Sequence, residues 1–226
     1  MSRQEKSISR VTRSKEEART SYDHLSRWYD LLAGRFERKY QDACLHRLQV
    51  KEGERVLEIG FGTGYALVAL ARSVGSTGKV CGIDLSEGMC RVAWARVLKA
   101  QMAERVELAR GDAARLPYAA RSFDAVFMSF TLELFDTPEI PLVLHECWRV
   151  LRNGGRLGVV AMSKRGKPTV MTKLYEWAHG KFPRSVDCRP ILVRQALEDA
   201  GFHVEDVTPL SMWGLPVDIV VGSLRA

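Results

Sequence analysis

Ten residues, Arg55-Val-Leu-Glu-Ile-Gly-Phe-Gly-Thr-Gly64, constrain this chain more than any other stretch of it. Val56, Leu57 and Ile59 predict a buried strand. Three alternating glycines, Gly60, Gly62 and Gly64, break it, and a helical pattern follows from Tyr65 to Ser73. Strand, glycine turn and helix bring backbone close to a ligand at the carboxyl edge of an α/β sheet. Glycine serves there because it accepts positive φ and has no Cβ to hold the ligand off. The dinucleotide pattern G-x-G-x-x-G would need a third glycine at position 65, where Tyr65 stands. The spacing is G-x-G-x-G instead, with Glu58 two residues upstream. Lys79-Val-Cys-Gly-Ile-Asp84 then predicts a second short strand ending in an acid, 24 residues beyond Gly60. Doubly wound folds place a ribose-binding carboxylate at about that separation, roughly 20 residues on.

The alternation continues. Predicted strands at 106–110, 123–129 and 156–162 alternate with predicted helices at 88–101 and 138–151, which argues for a parallel sheet covered on both faces. Residues 1–13 show no apolar period and read as a disordered basic arm. From Ser14 to about Gly34, Tyr22, Leu25, Tyr29 and Leu32 form one helical stripe, and a second helix is predicted over 36–48. Residues 1–50 thus form an arm and helical cover, and 51–226 the main domain. Within the latter, 163–190 reads as an insertion after the fifth strand, with a short helix at 169–180. A helix over 191–200, capped by Gly201, precedes two final strands at 202–208 and 217–222.

Jointly these segments resemble the class I S-adenosylmethionine-dependent methyltransferases. Val56–Gly64 resembles the first motif of that family and Gly82-Ile-Asp-Leu-Ser86 the second. Arg110-Gly-Asp-Ala113 resembles the third, Phe123–Ser129 the fourth strand, and His145–Gly155 the helix and turn before the fifth. The resemblance implies a doubly wound, seven-stranded, mostly parallel Rossmann-like sheet whose last two strands form an antiparallel hairpin. It also implies S-adenosylmethionine as cofactor. The glycines at 60, 62 and 64 would approach its methionine part, and Thr63 would cap the following helix or donate to the carboxylate. Glu58 would receive the ammonium or fix the loop through backbone N–H groups. Asp84 would accept from the ribose, and Met89 would pack on the adenine or fill the core. Asp112 and the Ala113 N–H would read the adenine, and Ser129 would meet the cofactor near its sulfur. Tyr29 resembles an aromatic that some members fold over the cofactor, although its place on the apolar stripe fits core packing too.

No residue declares itself a catalytic base. Methyl transfer from a sulfonium releases a neutral thioether, so alignment achieves much, and a base matters where the acceptor is not already ionised. His24 in the cover and His179 in the insertion are the candidates placed to face a substrate. No spacing suggests a metal site or a nucleophile–base pair. The five cysteines are scattered without C-x-x-C, as expected of reduced thiols in a cytoplasmic protein. The amino terminus lacks a signal-like apolar region, and no apolar run reaches spanning length.

Within the family, the chain most resembles the ubiquinone/menaquinone C-methyltransferase branch, through Tyr22…Tyr29-Asp30, Asp112-Ala…Leu116-Pro117, Ser122-Phe-Asp124 and Glu146…Arg149-Val-Leu-Arg152. It departs from that branch after the fourth strand, where Thr131-Leu-Glu-Leu-Phe135 replaces a Gly-Leu-Arg-Asn stretch. Trp28, Tyr175, Trp177 and Trp213 suit a small or amphiphilic, quinol-like acceptor. The formal charge of +7 is uneven: residues 1–40 hold ten Lys/Arg against six Asp/Glu, and residues 163–194 hold eight against two. These basic segments suggest an alternative, a phospholipid or amine N-methyltransferase in peripheral contact with an anionic membrane. A nucleic-acid substrate rests on the pI of 9.3 alone. No N-P-P-Y-type tetrapeptide follows the fourth strand and no nucleic-acid module is recognisable, which argues against it. The oligomeric state is not legible.

Overall fold

In a computed structural model of the protein, the described residues are 10–11, 14–26, 34–165 and 188–225. Seven strands form one sheet in the order β3-β2-β1-β4-β5-β7-β6. They are β1 (Arg55–Ile59), β2 (Lys79–Asp84), β3 (Val106–Arg110), β4 (Phe123–Ser129), β5 (Leu151–Met162), β6 (His203–Met212) and β7 (Leu215–Ser223). The first five are parallel and β7 runs antiparallel between β5 and β6. Strand order reverses between β1 and β4, which opens a crevice at their carboxyl ends. The fold inferred from the sequence is the fold observed.

Strand pleating divides the core in two. Val56 on β1 and Phe127 on β4 face a layer built from α2 (Arg35–Leu48), α3 (Tyr65–Ser73) and α4 (Glu87–Lys99), where Tyr40, Cys44, Leu48, Leu67 and Ala93 are buried. Leu57, Ile59, Val126 and Met128 face α5 (Ile140–Val150) and α6 (Val193–Asp199), through Val143, Leu144, Cys147 and Leu197. His145 lies exposed on the outer side of α5, stacked at 6.4 Å on Trp148, which is 45% exposed. Cys44, Cys81 and Cys147 are buried, and burial pushes the Cys44 thiol up to about 12. No helix among the described residues is long and apolar enough to cross a membrane.

Several boundaries differ from the sequence reading. Helix α1 (Lys15–Leu25) opens with a capping box between Ser14 and Glu17 and ends at Leu25, short of Gly34. Strand β5 begins at Leu151 rather than Arg156. Its first pair joins Leu151 to Phe123 and its next joins Arg156 to Ala125, so Arg152–Gly155 bulge outward, with Gly154 at φ +71. Ile191 leaves the predicted helix to form a parallel bridge with Ser163. Strands β6 and β7 are both longer than expected, because Trp213 and Gly214 at φ +52 and +80 make a two-residue hairpin turn. The predicted helix at 169–180 lies outside the described residues.

Candidate functional site

The crevice between β1 and β4 opens into a cleft whose floor is the carboxyl edge of the sheet and whose roof is α1 and the first half of α2. Its lining includes Gly60, Gly62, Thr63, Asp84, Met89, Asp112, Ala113 and Ser129 from the sequence reading. Glu58 lies directly beneath, 3% exposed. Gly60 holds φ +69, and a Cβ there would lie 2.4 Å from the Thr131 side chain. The close approach therefore serves the loop after β4. At Gly62, φ is +51 and an added Cβ would meet nothing within 4 Å, so open space faces it. Gly64 does not line the cleft. It is the left-handed N-cap of α3, and a Cβ on it would meet Ala93 at 2.8 Å, so it sets the packing of α3 on α4. Thr63 does not cap α3; its hydroxyl accepts from Arg96 at 3.1 Å.

Asp84 ties the site together. Its carboxylate accepts from the Gly62 N–H at 3.0 Å and the Ser86 N–H at 2.9 Å, joining the glycine turn to the end of β2. Helix α4 is capped by Ser86 rather than Asp84, through the Met89 N–H at 3.1 Å. Burial pushes the Asp84 carboxyl up to about 6, against the opposing pull of its backbone donors. Burial, with Asp84 close by, holds Glu58 well above the usual carboxylate range. Met89 is 2% exposed, packs in the core and also lines the cleft. Ser129 Oγ and Glu58 Oε2 are buried without hydrogen-bond partners.

The cover is fastened by charges that the sequence reading did not single out. Lys15, in the first turn of α1, donates to Asp112 Oδ2 at 2.6 Å and pairs with Glu139 at 2.6 Å. Burial lowers the Lys15 pKa, and these two carboxylates more than reverse that, so it stands raised. The Arg10 guanidinium meets Asp136 with contacts of 2.6–2.9 Å, and the Val11 N–H adds a third donor group to the same carboxylate. The Arg10 hydrogen bonds hold Asp136 down at about 2. At the other end of α1, Asp23 accepts from Ser86 Oγ at 2.6 Å and from the Gly88 N–H at 2.8 Å. A Cβ on Gly88 would come within 2.8 Å of Ser26 Oγ. Arg10 and Lys15 thus pair with carboxylates of the cleft lining, and Arg19 pairs with Glu16.

Other candidates fall elsewhere. Tyr29, His179, Trp28, Tyr175 and Trp177 lie outside the described residues, as does the side chain of His24. Trp213 sits at the hairpin turn, 60% exposed and edge-on to Phe36, not in the cleft. No cluster of metal-ligating side chains occurs among the described residues.

The cleft suits a cationic ligand with hydrogen-bond donors at both ends. Glu37, Asp84, Asp112, Asp136 and Glu139 line it, Glu58 underlies it, and Lys15 is the one cation among its described lining residues. S-adenosylmethionine, with its sulfonium, ammonium, ribose hydroxyls and adenine amino group, matches that set.

Comparison with known proteins points the same way. Residues 56–155 match a family model described as a methyltransferase domain. A demethylmenaquinone methyltransferase of Lactobacillus johnsonii is 31% identical over 147 residues, covering 65% of this chain and 59% of the relative. A ubiquinone/menaquinone biosynthesis C-methyltransferase of Cereibacter sphaeroides is 32% identical over 158 residues, covering 70% and 60%. The chain thus spans about three-fifths of the length of these curated relatives. Among solved structures, a SAM-dependent methyltransferase from Aquifex aeolicus superposes with a TM-score of 0.62 at 28% identity, covering 81% of this chain and 89% of that one.

Proposed function

Since the chain carries a class I S-adenosylmethionine-dependent methyltransferase domain, we propose that it methylates a small or amphiphilic, quinol-like acceptor. The observation that carries the reading is the acidic cleft at the β1–β4 switch point, with a glycine turn on its floor and a buried, unpartnered Glu58 oxygen beneath. The acceptor class is supported by the names of the two curated relatives.

The bound cofactor supplies an electrophilic methyl group on a cationic sulfur. Around it, the chain's own groups divide the work. Asp84 retains acceptor capacity beyond its two backbone donors, because a carboxylate offers about four lone-pair sites, and takes the ribose hydroxyls. Asp112 faces the adenine amino group, with Lys15 holding the carboxylate in place. Gly62 leaves room for the ligand to lie against backbone. The carboxylates of the lining favour the cationic cofactor over its neutral-sulfur product, which assists turnover. Helix α1, held at both ends, keeps water from the adenosine part.

Calorimetric titration with S-adenosylmethionine and S-adenosylhomocysteine, on wild type and Asp84→Ala, tests the cofactor site. Micromolar binding by wild type and a loss of about 100-fold or more in the variant are expected. For the acceptor, methyl-labelled cofactor is incubated with a short-chain demethylated naphthoquinol, and label should pass to the organic extract. Label that goes instead to an amine or phospholipid would overturn the acceptor class while leaving the cofactor site intact.

A further inference from the structure

Buried polar atoms without a partner are rare in folded proteins, and each marks something the surrounding chain does not supply. Glu58 Oε2, Ser129 Oγ and Gln41 Oε1 are three such atoms, carried on β1, β4 and α2. Glu58 pairs in register with Phe127, and Ser129 lies two residues further along the same strand. Pleating therefore sends both side chains to the face covered by α2 and α3, where Phe127 is buried.

Gln41 comes from that covering layer. It follows the buried Tyr40 on α2 and lines the cleft with Gly34 and Glu37. Its neighbours on the helix fix the end of the cleft it meets. Tyr65 Oη donates to the Asp42 carboxylate at 3.0 Å, and the Arg38 guanidinium lies 4.9 Å over the Tyr65 ring. Both contacts seat the middle turn of α2 against the first residue of α3, where the glycine turn ends. A carboxylate, a hydroxyl and an amide carbonyl together call for a ligand group with several donors, and an alkylammonium carries three. The neighbouring Asp84 and Glu37 favour a positive charge there.

We propose that the Gln41 amide oxygen binds the cofactor, completing with Glu58 and Ser129 an oxygen site for the ammonium of its amino-acid end. The inference rests on the cofactor reading above and adds a residue from the cover to it. Helix α2 then senses whether the cofactor is present, rather than only roofing the space it fills.

The test is calorimetric titration of the full chain with S-adenosylhomocysteine and with its des-amino analogue, in which hydrogen replaces the ammonium. Wild type, Gln41→Leu and Gln41→Glu are compared, each checked for cooperative thermal unfolding. Wild type should prefer the ammonium-bearing ligand. Gln41→Leu should lose about 10- to 100-fold in affinity for that ligand, the worth of a hydrogen bond to a charged group, and about twofold or less for the analogue. Gln41→Glu should restore the preference. Equal losses for both ligands would overturn the assignment, because Gln41 would then only hold α2 in place. Unchanged affinity in Gln41→Leu would overturn it too. Wild-type protein that binds neither ligand would bring down the cofactor reading itself, a result distinct from the other two.

Discussion

At the Asp84–Asp112 end of the cleft each of these carboxylates has donors within the chain, whereas at the Glu58–Ser129 end three buried oxygens have none. The first end is built before any ligand arrives. Backbone N–H groups from Gly62 and Ser86 hold Asp84, while Lys15 and the Ala114 N–H hold Asp112. The second end is left for a ligand to complete, and its desolvated polar groups lower the stability of the free protein. One end therefore contributes structure, and the other holds binding free energy in reserve.

The contrast is broken most forcefully at Gly60. An alanine there combines an unfavourable φ of +69 with a Cβ 2.4 Å from Thr131, so Gly60→Ala should destabilise the protein by roughly 3 kcal/mol and abolish cofactor binding. Gly62→Ala carries only the backbone strain, about 1 kcal/mol, because open space faces it. Denaturant midpoints of the two variants should separate clearly; equal midpoints would mean that the Gly60–Thr131 contact yields without cost.

Acid titration gives the next largest effect. The Asp84 carboxyl is raised to about 6 in the folded chain, so the native state holds its proton more tightly than the unfolded one. Its contribution is fully present below about pH 4 and is lost as pH rises toward 6, on the order of 2–3 kcal/mol. Asp136, held at about 2 by Arg10, has the opposite sign: its contribution is present above about pH 4 and is lost as pH falls toward 2. Asp84→Asn should make the fall in stability between pH 4 and 6 shallower, leaving the share that belongs to the raised Glu58 carboxyl, and should leave the acid limb intact. Arg10→Ala should do the reverse. A profile of the ligand-free protein that rises between pH 4 and 6 would contradict the first assignment.

Smaller effects sharpen the comparison. Glu58→Gln should stabilise the free protein by about 1 kcal/mol, because a desolvated carboxyl becomes a neutral amide, and should weaken cofactor binding about tenfold. A variant less stable than wild type would place Glu58 among the structural groups instead. Lys15→Ala should cost 1 kcal/mol or less, since Lys15, Asp112 and Glu139 are each about a third or more exposed. That loss should fade at about 0.5 M salt and appear as faster hydrogen exchange confined to α1.

What could be read from the sequence follows from how local its causes are. Val56 to Gly64 declares strand, turn and helix within ten residues, because apolar spacing and glycine chemistry act between near neighbours. Asp84 is legible for the same reason, as a strand-terminal acid in a repeating βα rhythm. The Arg10–Asp136 pair joins residues 126 apart in the chain, and no spacing rule relates them. Lys15 looks like any charge on a helix surface until the fold sets Asp112 and Glu139 beside it. Gln41 carries no sequence signal, since its interest lies in a missing partner. The bulge at Arg152–Gly155 was concealed by its glycines, which read as a turn before the strand. The length of β6 was concealed by Pro209 and by an aromatic at Trp213, where a tight hairpin ordinarily favours Asn or Gly.

Gly88 sets the clearance between the cover and the body of the domain. Its bare α-carbon lets Ser26 and Asp23 settle onto the start of α4, with the nearest atom 2.8 Å from where a side chain would begin. That missing methyl works as a spacer of zero thickness beneath the cover. Adding carbon there shims the cover upward at its far edge from Lys15 and changes no charge anywhere in the cleft. The fit of the roof is thereby set at a position outside the cleft's lining.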